Sequence, residues 1–294
     1  MGGEPFQALE TLDSARPYHL NAMAKLDELA VDLERLYGEY RFGEIAHRLY
    51  EFLWNDFCDK FLEAVKLDLR DTAEPWAKAL SLGVFDAIMS RYLQLLSPYM
   101  PHVTEELSER MGYLAEGDFL MQQPLPEEAL LIDLPLEEIV AAQAVASEIY
   151  ESAGRMRNLK AEYKMGSRKD IRFVIKAAPE WLAGEVKVLA LLVGAEEITL
   201  DPSYEAPKGT PAAVTGIGEV YMPLEGLIDI EAERARLSRE ISLTDLEIKK
   251  CEGKLGNASF VDRAPPEVVV QEKARLDDWK TKLLQLRDML GALA

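Results

Sequence analysis

Residues whose types could carry catalysis are few in this chain of 294 residues. The candidates are its histidines and cysteines, namely His19, His47, His102, Cys58 and Cys251. They do not recur at the short spacings that bind zinc, and no glycine-rich segment has the spacing that cradles a phosphate. Adjacent acidic residues such as Glu105 and Glu106 are typical of a solvated helix surface. We therefore predict no catalytic residue and no metal site in this chain.

Basic residues offer a second kind of chemistry, which is contact with a polyanion. The formal net charge is −19, and this opposes general affinity for nucleic acid. The charge is uneven, because the residues from Asp229 onward carry a net −1 and the stretch from Arg155 to Lys176 carries a net +6. A local field can steer a polyanion even when the whole molecule repels it. A solvated helix end followed by a charged strand face would give the same pattern.

The last 66 residues, from Asp229 to Ala294, predict an element that could present such cations. Apolar residues recur there at alternating spacings of three and four, the period that keeps one seam of a helix against a partner. The seam positions, of which Glu272 is the polar exception, are Leu237, Ile241, Thr244, Ile248, Cys251 and Leu255, then Val269, Glu272, Leu276, Trp279, Leu283, Leu286 and Leu290. A glycine- and proline-containing break divides the two runs. The pattern predicts an antiparallel coiled-coil arm about 35–40 Å long.

Helical periodicity also dominates the first half of the chain. Apolar stripes predict two helices over residues 19–66 with a turn at Gly38–Gly43, and a third helix that ends near Leu96. A double-proline segment follows, after which a helix is predicted from Val103 with Thr104 as its cap. The interpretation is a helical bundle.

The middle of the chain changes period. A helix is predicted over Leu136–Lys164, and alternation at Ile171, Phe173 and Ile175 then predicts a strand. A helix over Trp181–Val193 and strands at 197–200 and 214–222 complete a small α+β module. The predicted fold class is mainly α, with a helical bundle over 1–128, an α+β linker module over 129–226 and the coiled-coil arm over 227–294.

Bulk features limit the location of the protein. Two cysteines are too few for a disulfide framework and suggest a reducing cytoplasm. No apolar run approaches the roughly 18 residues that span a bilayer, and no signal peptide is evident. We expect a cytoplasmic protein that makes no membrane contact.

Two segments that lie about 45 residues apart resemble a known domain. They are LYEFLWNDFCDKFLE at 49–63 and LSPYMPHVTEEL at 96–107. The first is similar to the second helix of the anticodon-binding bundle in the class I aminoacyl-tRNA synthetases for valine, isoleucine and leucine. The second is similar to the proline-kinked element of the same bundle.

The tail narrows the resemblance to the valyl-tRNA synthetase family. The segments PLEGLIDIE at 223–231 and FVDRAPPEVV at 260–269 resemble its C-terminal arm, and RMRNLKAEY at 155–163 resembles its linker helix. The resemblance runs from about Phe6 to Leu290. The family's catalytic body, with its HIGH and KMSKS signatures and editing domain, is not in this sequence. Tyr18 and Ser108 stand where the family usually carries tryptophan and another aromatic residue.

The resemblance implies a tRNA-binding C-terminal part of a valyl-tRNA synthetase. It would hold tRNA(Val) by the anticodon and outer corner, while a catalytic body outside this chain uses ATP and Mg²⁺ to attach valine. The chain itself would need no cofactor and catalyse nothing, and we expect a monomer. By motif position, Phe6 and Leu69 match apolar anticodon-contacting positions. The cations expected on the tRNA backbone and corner are Arg155, Arg157, Lys160, Arg234, Arg236, Arg239, Lys249, Lys250 and Lys254.

Other interpretations stay open at this point. The arm would also suit a coiled-coil interaction or dimerisation protein, and the chain could be a free-standing tRNA-binding paralogue. A complete enzyme with an unrecognised site is disfavoured, because nucleophile, base and metal ligands do not cluster. Simple packing would explain Phe6 and Leu69, and solvated coiled-coil flanks would explain the cations of the arm.

Overall fold

The computed structural model describes residues 14–70, 72–123, 134–207, 209–224, 230–257 and 265–292. Within them the chain is mainly α-helical with a four-stranded mixed sheet, which confirms the predicted fold class. The chain divides into two compact units. The first holds the described residues up to Arg155 together with Gly184–Gly194, and the second holds Met156–Ala183 and those from Ala195 onward. The domain limits predicted at 128 and 226 lie outside the described residues and stay predictions.

Helices form the first unit. They are α1 (Pro17–Gly38), α2 (Phe42–Glu51), α3 (Pro75–Leu96) and α4 (Pro101–Arg110), followed by α5 (Leu136–Glu162), whose last residues belong to the second unit. α2 continues as a π-helical stretch (Phe52–Leu62) and a final α-helical turn (Glu63–Val65). Single 3₁₀ turns occur at Leu120–Gln122 and Glu180–Gly184. Buried Phe52 and Phe57 lie five residues apart, the spacing of π-helical hydrogen bonds.

The core of this unit is built from the predicted apolar stripes. Leu26, Leu33, Ile45, Phe61 and Ile88 are each at most 1% exposed. Each such side chain stabilises the fold by about 1.5–3 kcal/mol relative to leaving it in water. The helices therefore hold together through one apolar cluster.

The predicted cap at Thr104 is wrong. α4 begins two residues earlier than expected, with Pro101 in its first turn and Met100 at the N-cap position. Proline suits the first helical position because the backbone N–H it lacks would have no intrahelical acceptor there. Thr104 is buried inside the helix, and its hydroxyl donates to the carbonyl of Met100 at 2.9 Å.

A mixed sheet characterises the second unit. Its strands β1 (Arg172–Lys176), β2 (Glu197–Leu200), β3 (Ala212–Thr215) and β4 (Gly218–Tyr221) lie in the order β2-β1-β4-β3. β1 pairs parallel with β2 and antiparallel with β4. The parallel pair requires a crossover, and this crossover contains α6 (Val186–Val193), which belongs to the first unit.

The single strand predicted over 214–222 is instead the hairpin of β3 and β4. The turn lies at Gly216–Ile217, and Gly218 follows it with a φ of 119°. A Cβ at Gly218 would lie 2.4 Å from the carbonyl oxygen of Lys176, so only glycine fits there. The apolar side chain of Ile217 is buried in the turn, and this hides the turn from a hydrophobicity pattern.

Two long helices, α7 (Ile230–Leu255) and α8 (Pro266–Ala292), form the arm. Ion pairs between them run in opposite directions along the two helices: Lys254 lies 2.7 Å from Glu272, and Arg287 lies 3.7 Å from Asp245. The helices are therefore antiparallel, as predicted. Every predicted seam residue is buried or half-buried. No helix in the described part of the chain is long and apolar enough to cross a membrane.

Candidate nucleic-acid interface

The predicted anticodon-contacting residue Leu69 lies on the surface, just after the end of the α2 segment. Its side chain is 36% exposed, whereas its neighbour Asp68 is 3% exposed. Asp68 Oδ2 accepts hydrogen bonds from the hydroxyl of Tyr18 at 3.1 Å and from that of Ser81 at 3.0 Å. Since Tyr18 belongs to α1 and Ser81 to α3, Asp68 fixes the segment that presents Leu69. Phe6, the other predicted position, lies outside the described residues.

His19 extends this network and fixes which group donates in each of its hydrogen bonds. The backbone N–H of Arg16 donates to His19 Nδ1 at 3.1 Å, so the imidazole proton lies on Nε2. Nε2 lies 2.8 Å from Ser81 Oγ, which donates in turn to Asp68. A catalytic triad requires the opposite order, with the serine donating to histidine. The group is therefore a structural network and not a nucleophilic site.

Burial determines protonation in this network. Desolvation, followed by the charge of Arg16, lowers the pKa of His19 to about 3, so the ring stays neutral at physiological pH. Desolvation and the nearby Asp68 raise the pKa of Tyr18, so the phenol keeps the proton that it donates.

A charged pair borders the same network. The guanidinium of Arg16 lies 3.6 Å from Asp68 Oδ1, and Arg16 also interacts electrostatically with Glu185, which precedes α6. Desolvation raises the pKa of Glu185, and Arg16 partly opposes this effect.

His19 and Tyr18 were noted from the sequence, but their connection to Asp68 and Ser81 was not predicted. One signal was present: Asp68 continues the buried series of Phe57, Phe61 and Val65 at helical spacing, and a carboxylate on an apolar face needs polar partners.

The basic stretch from Arg155 to Lys176 is less uniformly basic on the surface than its composition suggests. Arg155 and Arg157 are exposed on α5. Arg168 Nε donates to Asp170 at 2.9 Å, and this pairing holds the pKa of Asp170 down at about 2. Arg172 is paired with Glu196 at 2.9 Å. Arg157, exposed on α5, is thus the better candidate for contact with a polyanion.

Lys160 is the predicted cation that the structure places in the interior. It is 2% exposed, and its ammonium donates to the backbone carbonyl of Arg168 at 2.8 Å. Desolvation lowers its pKa. In this arrangement Lys160 shapes the loop after α5 and does not offer its charge at the surface, so the interface considered below omits it.

The cations of the arm differ in their freedom to meet a phosphate. Lys250 is bonded to Glu247 at 2.6 Å, and Lys254 to Glu272 at 2.7 Å. Arg236 is bonded to Glu240 at 2.6 Å, and Arg234 is half-buried. Arg239 and Lys249 are exposed and make no ion pair with any described residue. These two could take up a phosphate without breaking an existing pair.

The described residues do not fit ATP with a divalent ion. Among them, no three His, Cys, Asp or Glu side chains lie together as metal ligands. Because the sequence also lacks a glycine-rich phosphate cradle, no chemical step through ATP is assigned to this chain.

Comparisons with protein families match both parts of the chain. The family model described as the anticodon-binding domain of tRNA ligase matches residues 20–175. The model described as the valyl tRNA synthetase tRNA binding arm matches residues 229–294.

Curated relatives extend over almost the whole chain. It is 36% identical over 282 residues to a valine--tRNA ligase of Xanthomonas campestris pv. campestris (strain B100), which covers 92% of this chain and 29% of that protein. It is 31% identical over 312 residues to the valine--tRNA ligase of Prochlorococcus marinus (strain NATL2A), covering 99% of this chain and 32% of that protein. The chain thus spans about three tenths of the length of these relatives.

Proposed function

This chain belongs to the family of anticodon-binding domains of tRNA ligases and carries the tRNA-binding arm of the valyl-tRNA synthetases, and from this premise we propose that it holds tRNA(Val). The anticodon would lie against the surface around Leu69, and the outer corner of the tRNA against the arm. Valine would be attached by a catalytic body outside these residues, with ATP and Mg²⁺ acting there. We further propose that the protein works in the cytoplasm as a monomer.

The observation that carries this proposal is the form of the arm. Its first helix, Ile230–Leu255, has 26 residues and is therefore about 39 Å long. Its seam is closed by the partner helix, so its flanks face outward with Arg239 and Lys249 exposed and unpaired among the described residues. Cations on a long rigid support suit contact with phosphates that lie far from the anticodon.

The proposed anticodon contact at Leu69 differs from the phosphate contacts of the arm, because it would involve bases. Unstacked bases are bound by apolar or aromatic side chains together with hydrogen bonds to base edges. Leu69 is exposed and lies beside a buried anchor, so it can cover a base face without rearranging the bundle. Exposed Arg70 follows it and could contact the adjoining phosphate. Phe6 keeps its proposed role from motif position alone.

A second function is favoured by one feature of the arm. Leu243, Leu246 and Leu284 are 63%, 52% and 63% exposed. Exposed apolar side chains of this size can mark a surface that binds another protein. An arm with an apolar outer face could dimerise. Light scattering of the isolated chain decides between the two, because a dimer of about twice 33.0 kDa would favour the interaction protein and a monomer the proposed function.

The proposed function is tested by equilibrium binding of tRNA(Val) to this chain at low salt. We expect Leu69→Ala to lose about 1 kcal/mol of binding free energy, roughly fivefold in affinity, because one base loses its apolar cover. Leu82→Ala is the matched control, since Leu82 is 44% exposed on α3 and should leave affinity unchanged. An unchanged tRNA affinity in Leu69→Ala would show that Leu69 does not contact the tRNA. Absence of tRNA binding at low salt would refute the proposed tRNA-binding function.

A further inference from the structure

A groove lies toward the start of α7 and the end of α8, and it includes Arg239, one of the two exposed arm cations described above. We call it the arm-root groove. Its volume is 410 Å³, and it is bordered by four cations and an apolar floor, comprising Lys164, Arg236, Arg239, Lys282, Trp279 and Leu243. The cations come from three chain segments: the residues after α5, the helix α7 and the helix α8. Such convergence is unusual in a chain of net charge −19.

Glu240 lies among these cations and engages three of them. Its Oε2 lies 2.6 Å from Arg236 Nη1 and 4.0 Å from Lys164 Nζ, and its Oε1 lies 3.5 Å from Lys282 Nζ. The only other carboxylate in the lining, Glu247, is bonded to Lys250 outside it. The groove thus holds one anion of its own at the point where three cations meet. The side chains of Lys164 and Lys282 are 65% and 44% exposed, and those of Arg236 and Glu240 are 30% and 31% exposed, so an external anion can reach all of them.

The floor of the groove adds a second kind of surface. The ammonium of Lys282 lies 5.3 Å from the centre of the Trp279 ring, so the indole borders the cationic rim. Leu243, which is 63% exposed, continues the apolar surface. Inorganic phosphate would use the cations alone. A nucleotide would use both parts, with its phosphate on the cations and its ribose or base on the apolar floor.

We propose that the arm-root groove, which includes Arg239, is a phosphate subsite for the tRNA backbone, distinct from the contact at Lys249 farther along the arm. In the bound state an RNA phosphate replaces Glu240 as the partner of Lys164, Arg236 and Lys282. Arg239 adds a fourth positive charge. The nucleotide attached to that phosphate lies against Trp279. This inference rests on the proposed tRNA-binding function and adds a residue-level site to it.

Two variants with opposite expected signs test the groove, with a tRNA(Val) transcript as the probe and the full chain as the protein. The double variant Arg236→Gln with Lys282→Gln should bind five- to tenfold more weakly, and its salt slope should fall by about 0.7–0.9, the counterion release of one phosphate. Glu240→Gln should bind more tightly than wild type, because it removes the competing anion. Glu252→Gln is its control, since Glu252 carries the same charge on the same helix but pairs with Lys280 at 3.1 Å outside the groove.

The opposite expected changes in tRNA affinity distinguish a direct phosphate contact from a purely structural role of these side chains. Both groove variants lose the ion pairs around Glu240, so a purely structural role would weaken tRNA binding in both. Weaker binding by Glu240→Gln, or a gain no larger than that of Glu252→Gln, therefore overturns the proposal. Lys249→Gln separates it from the proposed function: if Lys249→Gln and Leu69→Ala weaken binding but the groove double variant does not, the groove proposal fails while the proposed function stands. If no tRNA binds at low salt, both fail.

Discussion

At the scale of single residues, Asp68 holds the segment that carries Leu69, the proposed anticodon contact. Its carboxylate is buried, and it accepts hydrogen bonds from Tyr18 and Ser81 on two other helices. A buried carboxylate without such partners would cost several kcal/mol. The exposed Leu69, the proposed anticodon contact, is thus held in place through its neighbour, and any effect of the network on tRNA binding would come through that placement.

His19 makes this network sensitive to acid. Its pKa in the folded protein is about 3, below the value of about 6.5 expected in the unfolded chain. The unfolded state therefore binds one more proton between pH 6.5 and pH 3, and stability falls as the pH falls through that window. We expect the bundle to lose about 2 kcal/mol of unfolding free energy at pH 5 relative to pH 7 from this residue.

Urea unfolding monitored by circular dichroism at the two pH values measures this loss. His19→Gln keeps an acceptor and a donor but does not titrate, so its difference between pH 7 and pH 5 should shrink by that amount. His102→Gln is the control, because His102 lies on the surface. If wild type and His19→Gln lose the same unfolding free energy between pH 7 and pH 5, the acid sensitivity does not come from His19.

At the scale of the element, the seam of the arm carries most of its stability. Leu237 is fully buried, whereas Leu246 on the same helix is 52% exposed. The polar seam residues Thr244 and Glu272 lower apolar burial, and Lys254 holds the pKa of Glu272 below its usual range. Polar residues in a seam favour one register at some cost in stability. The arm is therefore built for a defined pairing of its helices.

This contrast gives a direct test of the seam. Leu237→Ala should destabilise the arm by about 2–5 kcal/mol, because it removes buried methyl groups and leaves a cavity. Leu246→Ala should change stability by less than about 0.5 kcal/mol. Thermal unfolding followed by circular dichroism compares the two. Similar losses in both variants would show that the seam lies elsewhere.

Periodicity explains which elements could be predicted from the sequence. Helices and the heptad seam are encoded by local spacing, so their positions were predicted within a few residues. The β3–β4 hairpin was missed because a buried isoleucine occupies its turn. The burial of Lys160 could not be predicted, for a different reason. Its partner is a backbone carbonyl eight residues along the chain, and no pattern of residue types encodes a loop that brings Arg168 there.

The network around Asp68 could not be predicted from the sequence. The role of Leu69 stays a prediction from the motif, whereas the contacts among Tyr18, His19, Asp68 and Ser81 join residues up to 62 positions apart. Such contacts depend on how the helices pack. The arm-root groove likewise joins three segments that no local pattern connects.

At the scale of the whole molecule, the negative charge is concentrated in the residues that precede the arm. The residues from Asp229 onward carry a net −1, and the remaining 228 residues carry a net −18. An acidic body repels RNA at long range, so favourable contact has to come from local cations. The arm, with its near-neutral balance and outward cations, is the part suited to approach a polyanion.

Deletion of residues 229–294 tests this partition. We expect weaker tRNA binding and a flatter dependence of affinity on salt, because fewer counterions are released. Titrations at several salt concentrations measure the slope, and circular dichroism checks that the remaining chain is folded. An unchanged slope would show that the arm makes no electrostatic contact.

The path of the chain between the two units limits where the protein can be truncated. The chain passes from one unit to the other after Arg155, after Ala183 and after Gly194. The crossover between the parallel strands β1 and β2 therefore contributes α6 to the bundle side. Neither unit is a continuous stretch of sequence, so no single cut in the chain separates one unit from the other. A truncation variant made to isolate the first unit would have to keep the crossover helix α6.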